Sequence, residues 1–194
     1  MSVAAVLLAA GASRRMGQLK QLMALDGETL VHRAARIALQ AGCDPALVVL
    51  GNQAEEVAVA LKGLPCSPVV NPLWEEGMAS SIRAGLAAVP KSALAALLLV
   101  CDQPAVDADF IRHMVKAQSL QPKRIVAAAY AGTVGIPALF PRHCFEALMK
   151  LTGDRGARSL LEDADVLTLP LLGGGMDVDT ILDFEEMKRR LEQS

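Results

Sequence analysis

Apolar runs and amphipathic stretches alternate along the first two thirds of the chain. Residues 3–8 are an unbroken apolar run, the pattern of a strand buried on both faces. In residues 29–41, Leu30, Ala34, Ile37 and Ala38 recur at helical spacing, and Gly42 is placed to stop the helix. Residues 46–50 read as a strand, 53–61 as a helix and 66–70 as a strand. A breaker-rich loop, Asn71-Pro72-Leu73-Trp74-Glu75-Glu76-Gly77, leads into a helix over 78–89 that closes near Pro90. Residues 94–100 are the most apolar strand and therefore the expected centre of a sheet. A helix over 107–120 and a strand over 124–130 complete the series. This rhythm predicts an α/β fold with a mostly parallel sheet and helices on both faces.

After Tyr130 the rhythm changes. Residues 131–137 read as a loop, followed by a short strand near 138–140, helices over 142–151 and 156–162, and a strand over 166–171. Gly173-Gly174-Gly175 reads as a flexible joint, and 180–192 as a last amphipathic helix. No internal repeat or low-complexity linker divides the chain. The second half is expected to extend the same sheet, with room for one antiparallel strand. At 194 residues the chain fits one domain.

Composition narrows the function. A net charge of −2 argues against a nucleic-acid footprint, which would need a basic stripe. No apolar run reaches the roughly 18 residues of a membrane span, and the N-terminal apolar segment lacks the flanks of a signal peptide. A cytoplasmic protein is expected. Cys43, Cys66, Cys101 and Cys144 are widely spaced with no C-x-x-C pair, which favours small buried thiols in a reducing compartment over a zinc site.

Five strings carry candidate chemistry, the last being Asp177-Val178-Asp179-Thr180 before the final helix, where either acid could also be a plain helix cap. The first follows the opening strand: Ala9-Ala10-Gly11-Ala12-Ser13-Arg14-Arg15-Met16-Gly17, closed by Lys20. Small residues allow close backbone approach, free N–H groups of such a turn attract anions, and Arg14, Arg15 and Lys20 can neutralise phosphate. It is neither a dinucleotide fingerprint, since Ser13 stands where the second Gly belongs, nor a P-loop, since Gly17 is followed by Gln18. The second string is Cys101-Asp102-Gln103-Pro104. A carboxylate directly after a central strand can hold Mg²⁺ or cap the next helix, but Asp107 is the better cap. In the third, Gly77 opens a helix with Ser80 and Ser81 in its first turn, suited either to a polar ligand or to capping. Trp74, just before it, could stack on a ring or pin the loop. The fourth is Gly153-Asp154-Arg155-Gly156-Ala157-Arg158, whose arginines suit an anion or a solvated loop.

These strings together resemble the MobA-like nucleoside triphosphate transferases, and among them the molybdenum cofactor cytidylyltransferase branch. The first loop resembles L-A-A-G-x-S-x-R-M-G-x-x-K, the third string G-M-x-x-S-I/L-x-x-G-L, and the fourth G-D-x-G-A-R. The resemblance implies a Rossmann-like three-layer sandwich of the glycosyltransferase-A type, with a nucleotide-binding half over about residues 1–105 and an acceptor half over about 106–194. It implies transfer of CMP from CTP to the phosphate of metal-bearing molybdopterin, with release of pyrophosphate and a need for Mg²⁺ or Mn²⁺. A molybdoenzyme is a candidate recipient of the product. By the same resemblance Arg15, Lys20 and Asp102 are the catalytic residues. Ala9, Ala10, Gly11, Ser13, Arg14, Arg15, Lys20, Gly77, Ser80, Ser81 and Asp102 bind the nucleotide. Gly135, Pro137, Asp154, Arg155 and Arg158 bind the acceptor, and Asp102 with Asp179 holds the metal, Asp177 being the alternative to Asp179. Two positions depart from the pattern: Leu19 stands where Pro is common, and Ile136 where a polar residue such as His is common. A guanylyl or other nucleotidyltransferase acting on another small phosphate, a non-catalytic nucleotide or cofactor carrier, and a nicotinamide-dependent reductase are the competing readings; the missing fingerprint weakens the last.

Overall fold

In chain order the elements are β1 (Val3–Ala9), β2 (Ala24–Leu25), β3 (Glu28–Thr29), α1 (Leu30–Gln40), β4 (Ala46–Leu50), α2 (Ala54–Ala60), β5 (Ser67–Val70), α3 (Met78–Ala87), β6 (Ala95–Val100), α4 (Ala108–Leu120), β7 (Ile125–Tyr130), β8 (Thr133–Pro141), α5 (Phe145–Met149), α6 (Arg158–Asp163), β9 (Val166–Pro170) and α7 (Ile181–Leu191). The computed structural model describes residues 2–14, 16–154, 156–163, 165–175 and 180–191. Seven strands form one sheet in the order β5-β4-β1-β6-β8-β7-β9. β6, the most apolar strand, is its centre. Every pairing among these strands is parallel except those of β8, which runs antiparallel to β6 and β7. β1 is buried along its whole length, as its unbroken apolar run requires.

Alternate residues of each strand feed two cores. Leu7, Val48 and Leu97 pack with Val31, Val57 and Ile111 from α1, α2 and α4. Val6, Val49 and Leu98 pack with Ile82, Leu148 and Leu161 from α3, α5 and α6. Period-two alternation through a doubly covered sheet thus makes the three layers. Helix starts are set by side chains: Thr29 accepts from the backbone N–H of His32, and Asp107 from that of Phe110 at 2.7 Å, which confirms Asp107 as the cap and leaves Asp102 to other work. Cys43 and Cys101 are buried thiols, and burial pushes the Cys43 thiol up to about 12. No helix among the described residues is long and apolar enough to cross a membrane.

Helix α3 lies against β1 and β4 through Gly85. A Cβ there would sit 2.3 Å from Val6 Cγ1 and 2.9 Å from Val49 Cγ2. Gly85→Ala is therefore expected to destabilise the fold by about 1–3 kcal/mol through overpacking, read as a lower denaturation midpoint at unchanged slope.

Two stretches differ from the sequence expectation. Residues 131–137 are not a loop: Ala131 and Gly132, both at positive φ, make a tight turn, and β8 then runs for nine residues. Gly135 and Pro137 masked this strand as breakers. They are accommodated by a bulge, since Ala127 pairs with Ala138 but Ala128 with Gly135, leaving Ile136 and Pro137 outside the ladder. The second is the small hairpin β2–β3, which turns at Asp26-Gly27, a dipeptide that favours such hairpins. It is tied to α1 by Glu28, whose carboxylate accepts from the Arg36 guanidinium at 2.7 and 2.8 Å. That contact above all holds the Glu28 pKa down to about 2.

Candidate functional site

A cleft of about 350 Å³ opens at the carboxyl ends of β1 and β6, with Ala10, Gly11, Arg14, Lys20, Trp74 and Asp102 among its lining residues. Its position is the one that parallel-stranded α/β sheets offer to ligands. The first loop is folded around one side chain. Gln21 is 1% exposed; its Nε2 donates to the carbonyls of Ala9 at 3.1 Å and Gly11 at 2.6 Å. Ser13, at positive φ, donates through Oγ to Gln21 Oε1 at 3.2 Å and accepts from the Lys20 N–H at 3.0 Å. Met16 and Leu19 are buried beneath the loop. The phosphate-type loop is thus held from inside, with Arg14 left exposed at its tip.

Lys20 begins a short 3₁₀ turn, Lys20–Leu22, that swings its ammonium onto Asp102 Oδ2. The two side chains are only 21% and 14% exposed, so the pair lies in the cleft rather than on the open surface. The neighbouring Cys101 thiol is pushed up to about 12, chiefly by burial and further by the Asp102 charge.

The opposite wall is the start of α3. Asn71 Nδ2 donates to Ser80 Oγ at 2.9 Å and to Ser81 Oγ at 3.1 Å, while Ser80 Oγ donates to the Gly77 carbonyl at 2.8 Å. Gly77 has φ of +103°, and a Cβ there would come within 2.3 Å of Asp154 Oδ1. Only glycine lets the Asp154 loop close onto the helix start, where Ala79 N–H donates to the Gly153 carbonyl at 3.0 Å. Trp74 is seated on Gly51, where a Cβ would fall 2.6 Å from Trp74 Cβ and 2.7 Å from the Ala10 carbonyl.

Of the residues that the sequence singles out, Ala10, Gly11, Arg14, Lys20, Gly77, Ser81, Asp102 and Asp154 meet in this cleft. Ala9 and Ser13 support it from behind through Gln21. Ser80 is buried against Asn71 and Gly77 and is not among the lining residues. Gly135 and Pro137 lie on β8, outside the lining. Arg158 points to Glu162 one helical turn on, at 3.2 Å. Arg15, Arg155, Asp177 and Asp179 lie outside the described residues. Sequence reasoning passed over Gln21 and Asn71. Neither carries a local signal: Gln21 stands in a mixed stretch with Gln18 and Lys20, and Asn71 reads only as half of a turn dipeptide.

Among the described residues no three His, Cys, Asp or Glu side chains form a metal cage. A single carboxylate, Asp102, in a cleft that Arg14 and Lys20 also line fits Mg²⁺ or Mn²⁺, which take one or two protein oxygens and complete their shells with phosphate and water.

Residues 5–167 match the family model of the MobA-like NTP transferase domain. The chain is 34% identical to the nicotine blue oxidoreductase of Paenarthrobacter nicotinovorans, over 97% of this chain and 96% of that one. It is 30% identical to the purine catabolism protein PucB of Bacillus subtilis, over 96% of each, and 25% identical to the molybdenum cofactor cytidylyltransferase of Escherichia coli, over 95% of each. The crystal structure of Rv0371c from Mycobacterium tuberculosis superposes with a TM-score of 0.85 at 32% identity, covering 97% of this chain and 98% of that one. The same protein in complex with manganese gives 0.79 at 30%, covering 97% and 99%. With a family match over most of its length and a small-residue loop, lysine and aspartate meeting in one cleft, the chain belongs to the MobA-like NTP transferase family and is a nucleotidyltransferase.

Proposed function

We propose that the chain transfers CMP from CTP to the phosphate of a molybdopterin-type acceptor that carries its metal, releasing pyrophosphate. The observation that carries this reading is the meeting of Lys20 and Asp102 at the floor of a cleft walled by a phosphate-type loop. The triphosphate lies over the N–H groups of residues 10–14, with Arg14, Arg15 and Lys20 offsetting its charge. An acceptor phosphate oxygen attacks the α-phosphorus, the bond to the β-phosphate oxygen breaks, and the electron pair leaves with pyrophosphate. No covalent enzyme intermediate is needed. Asp102, with Asp179, two residues before α7 in the sequence, would hold Mg²⁺ or Mn²⁺, which supplies charge neutralisation to the phosphates when bound. The protein's own share is positioning and fixed charge.

Ser81 and Gly77 face the base and ribose, and Asp154 with Arg155 borders the acceptor. Ala9-Ala10-Gly11 supports cytosine over guanine, because it resembles the cytidylyl branch where the guanylyl branch tends to carry L-A-G-G. The word oxidoreductase in one relative's name does not carry over to a nicotinamide site here, because the loop has no dinucleotide fingerprint. A molybdoenzyme that receives the product is part of the proposal.

Thermal unfolding with Mg²⁺ and each of CTP, GTP, ATP and UTP tests it. At a hundredfold excess over Kd a native-state ligand adds about 2.7 kcal/mol, so CTP should give the largest, metal-dependent rise. A GTP preference would move the protein to guanylyl transfer, and no rise with any triphosphate would count against the reading.

A further inference from the structure

The bulge in β8 has a chemical consequence at Asp102. It takes the Ile136 carbonyl out of the sheet ladder, and the Tyr130 hydroxyl donates to that carbonyl at 2.9 Å. The same hydroxyl accepts from Gln103 Nε2 at 3.1 Å. Tyr130 ends β7, and β8 lies between it and β6. Its side chain can pass over β8 only because residue 135 is glycine: a Cβ there would be 2.6 Å from the hydroxyl oxygen and 3.3 Å from Cζ. Gln103 is 7% exposed and directly follows Asp102, so the β7–β8 hairpin grips the turn that carries the carboxylate. Lys20 grips the carboxylate itself.

The geometry points to Tyr130 as a positioning residue for Asp102, acting through Gln103, with Gly135 and the Ile136 bulge as the features that let it reach. This rests on the nucleotidyltransferase reading above. It gives the Gly135-Ile136-Pro137 segment a role in setting the metal-holding carboxylate, whether or not it touches the acceptor. Groups that orient a metal ligand from behind typically change metal affinity by about 10–100-fold.

The test is Mn²⁺ titration of the CTP complex by electron paramagnetic resonance, beside pyrophosphate-release kinetics, for wild type, Tyr130→Phe, Gln103→Ala and the double variant. Tyr130→Phe keeps the ring and its packing and removes only the hydroxyl. The expected result is a loss of Mn²⁺ affinity of about tenfold in each single variant, with the apparent KM for CTP at saturating Mn²⁺ unchanged. Because both substitutions break one link, the double variant should be no worse than either single one. A purely structural role would lower the melting temperature without moving Mn²⁺ affinity, and that result would overturn the inference. So would effects that multiply in the double variant. A wild-type protein that binds no Mn²⁺ with any of CTP, GTP, ATP and UTP would overturn the nucleotidyltransferase reading first, and this inference with it, which distinguishes the two failures.

Discussion

Asp102→Asn is expected to abolish nucleotidyl transfer while leaving the fold in place. The asparagine keeps the size of the side chain and still offers an oxygen to the Lys20 ammonium, so the contact survives as a hydrogen bond from the charged ammonium to an uncharged acceptor. What disappears is the negative charge at the end of β6. A divalent cation would then lose one of the two carboxylates that would hold it, and the positive charge it would supply to the departing pyrophosphate would no longer be fixed in place. Removing one such electrostatic element costs several kcal/mol of transition-state stabilisation, and about 4 kcal/mol is a factor of a thousand in rate. Stability should change by about 1 kcal/mol or less, because a partly exposed ion pair contributes little net energy. Pyrophosphate release and a thermal melt on the same preparation check both halves. Turnover within about tenfold of wild type would place the metal and the chemistry elsewhere, since a loss that small corresponds to only about 1.4 kcal/mol.

The contrast between Asp102 and Gln21 shows what the sequence can and cannot disclose. Asp102 was legible because strand periodicity fixes where β6 ends, and an acid at that point has few structural duties once Asp107 caps α4. Most elements were legible for the same reason: a doubly covered parallel sheet needs continuous apolar strands, and Val3–Ala9, Ala46–Leu50 and Ala95–Val100 are such strands. The second half of β8, near 138–140, was legible too, but its first half was not, because glycine and proline inside a strand read locally as breakers, and only the pairing with β7 and the bulge at Ile136 make the segment extended. Gln21 was hidden for a different reason. Its role depends on burial and on two carbonyls 12 and 10 residues away, and no local pattern marks a polar side chain that supplies hydrogen bonds to a loop's interior. Ser80 shows the converse. Its place in the first turn of α3 suggests ligand contact, whereas the structure commits its hydroxyl to Asn71 and Gly77, a pairing that only the folded chain reveals.

Gln21→Leu should therefore be strongly damaging through the loop that the amide holds from inside. Leucine fills nearly the same volume, so no large cavity forms. The loss is of donors: the Ala9 and Gly11 carbonyls lose the amide N–H groups that satisfy them, and Ser13 loses its acceptor. A buried group left without its partner costs about 1–3 kcal/mol, and the Gly11 carbonyl, which is only part-buried, can recover some of this from water. A total of about 3 kcal/mol follows for the loop in its present conformation. Where that energy appears depends on which unfolding is cheaper. If the loop of residues 10–20 opens alone, its binding-competent form falls to about one part in a hundred, and the apparent Kd for nucleotide rises about a hundredfold at nearly constant melting temperature. If the buried Met16 and Leu19 tie the loop to the core, the cost enters global stability instead and the melting temperature falls by several degrees, about 2–4 °C per kcal/mol for a chain of this size. Calorimetric titration with CTP and a thermal scan on the same variant separate the two. A nucleotide affinity and a melting temperature both equal to wild type would show that the Gln21 amide does not hold the loop, and the loop's shape would then have to come from Met16, Leu19 and Ser13 alone.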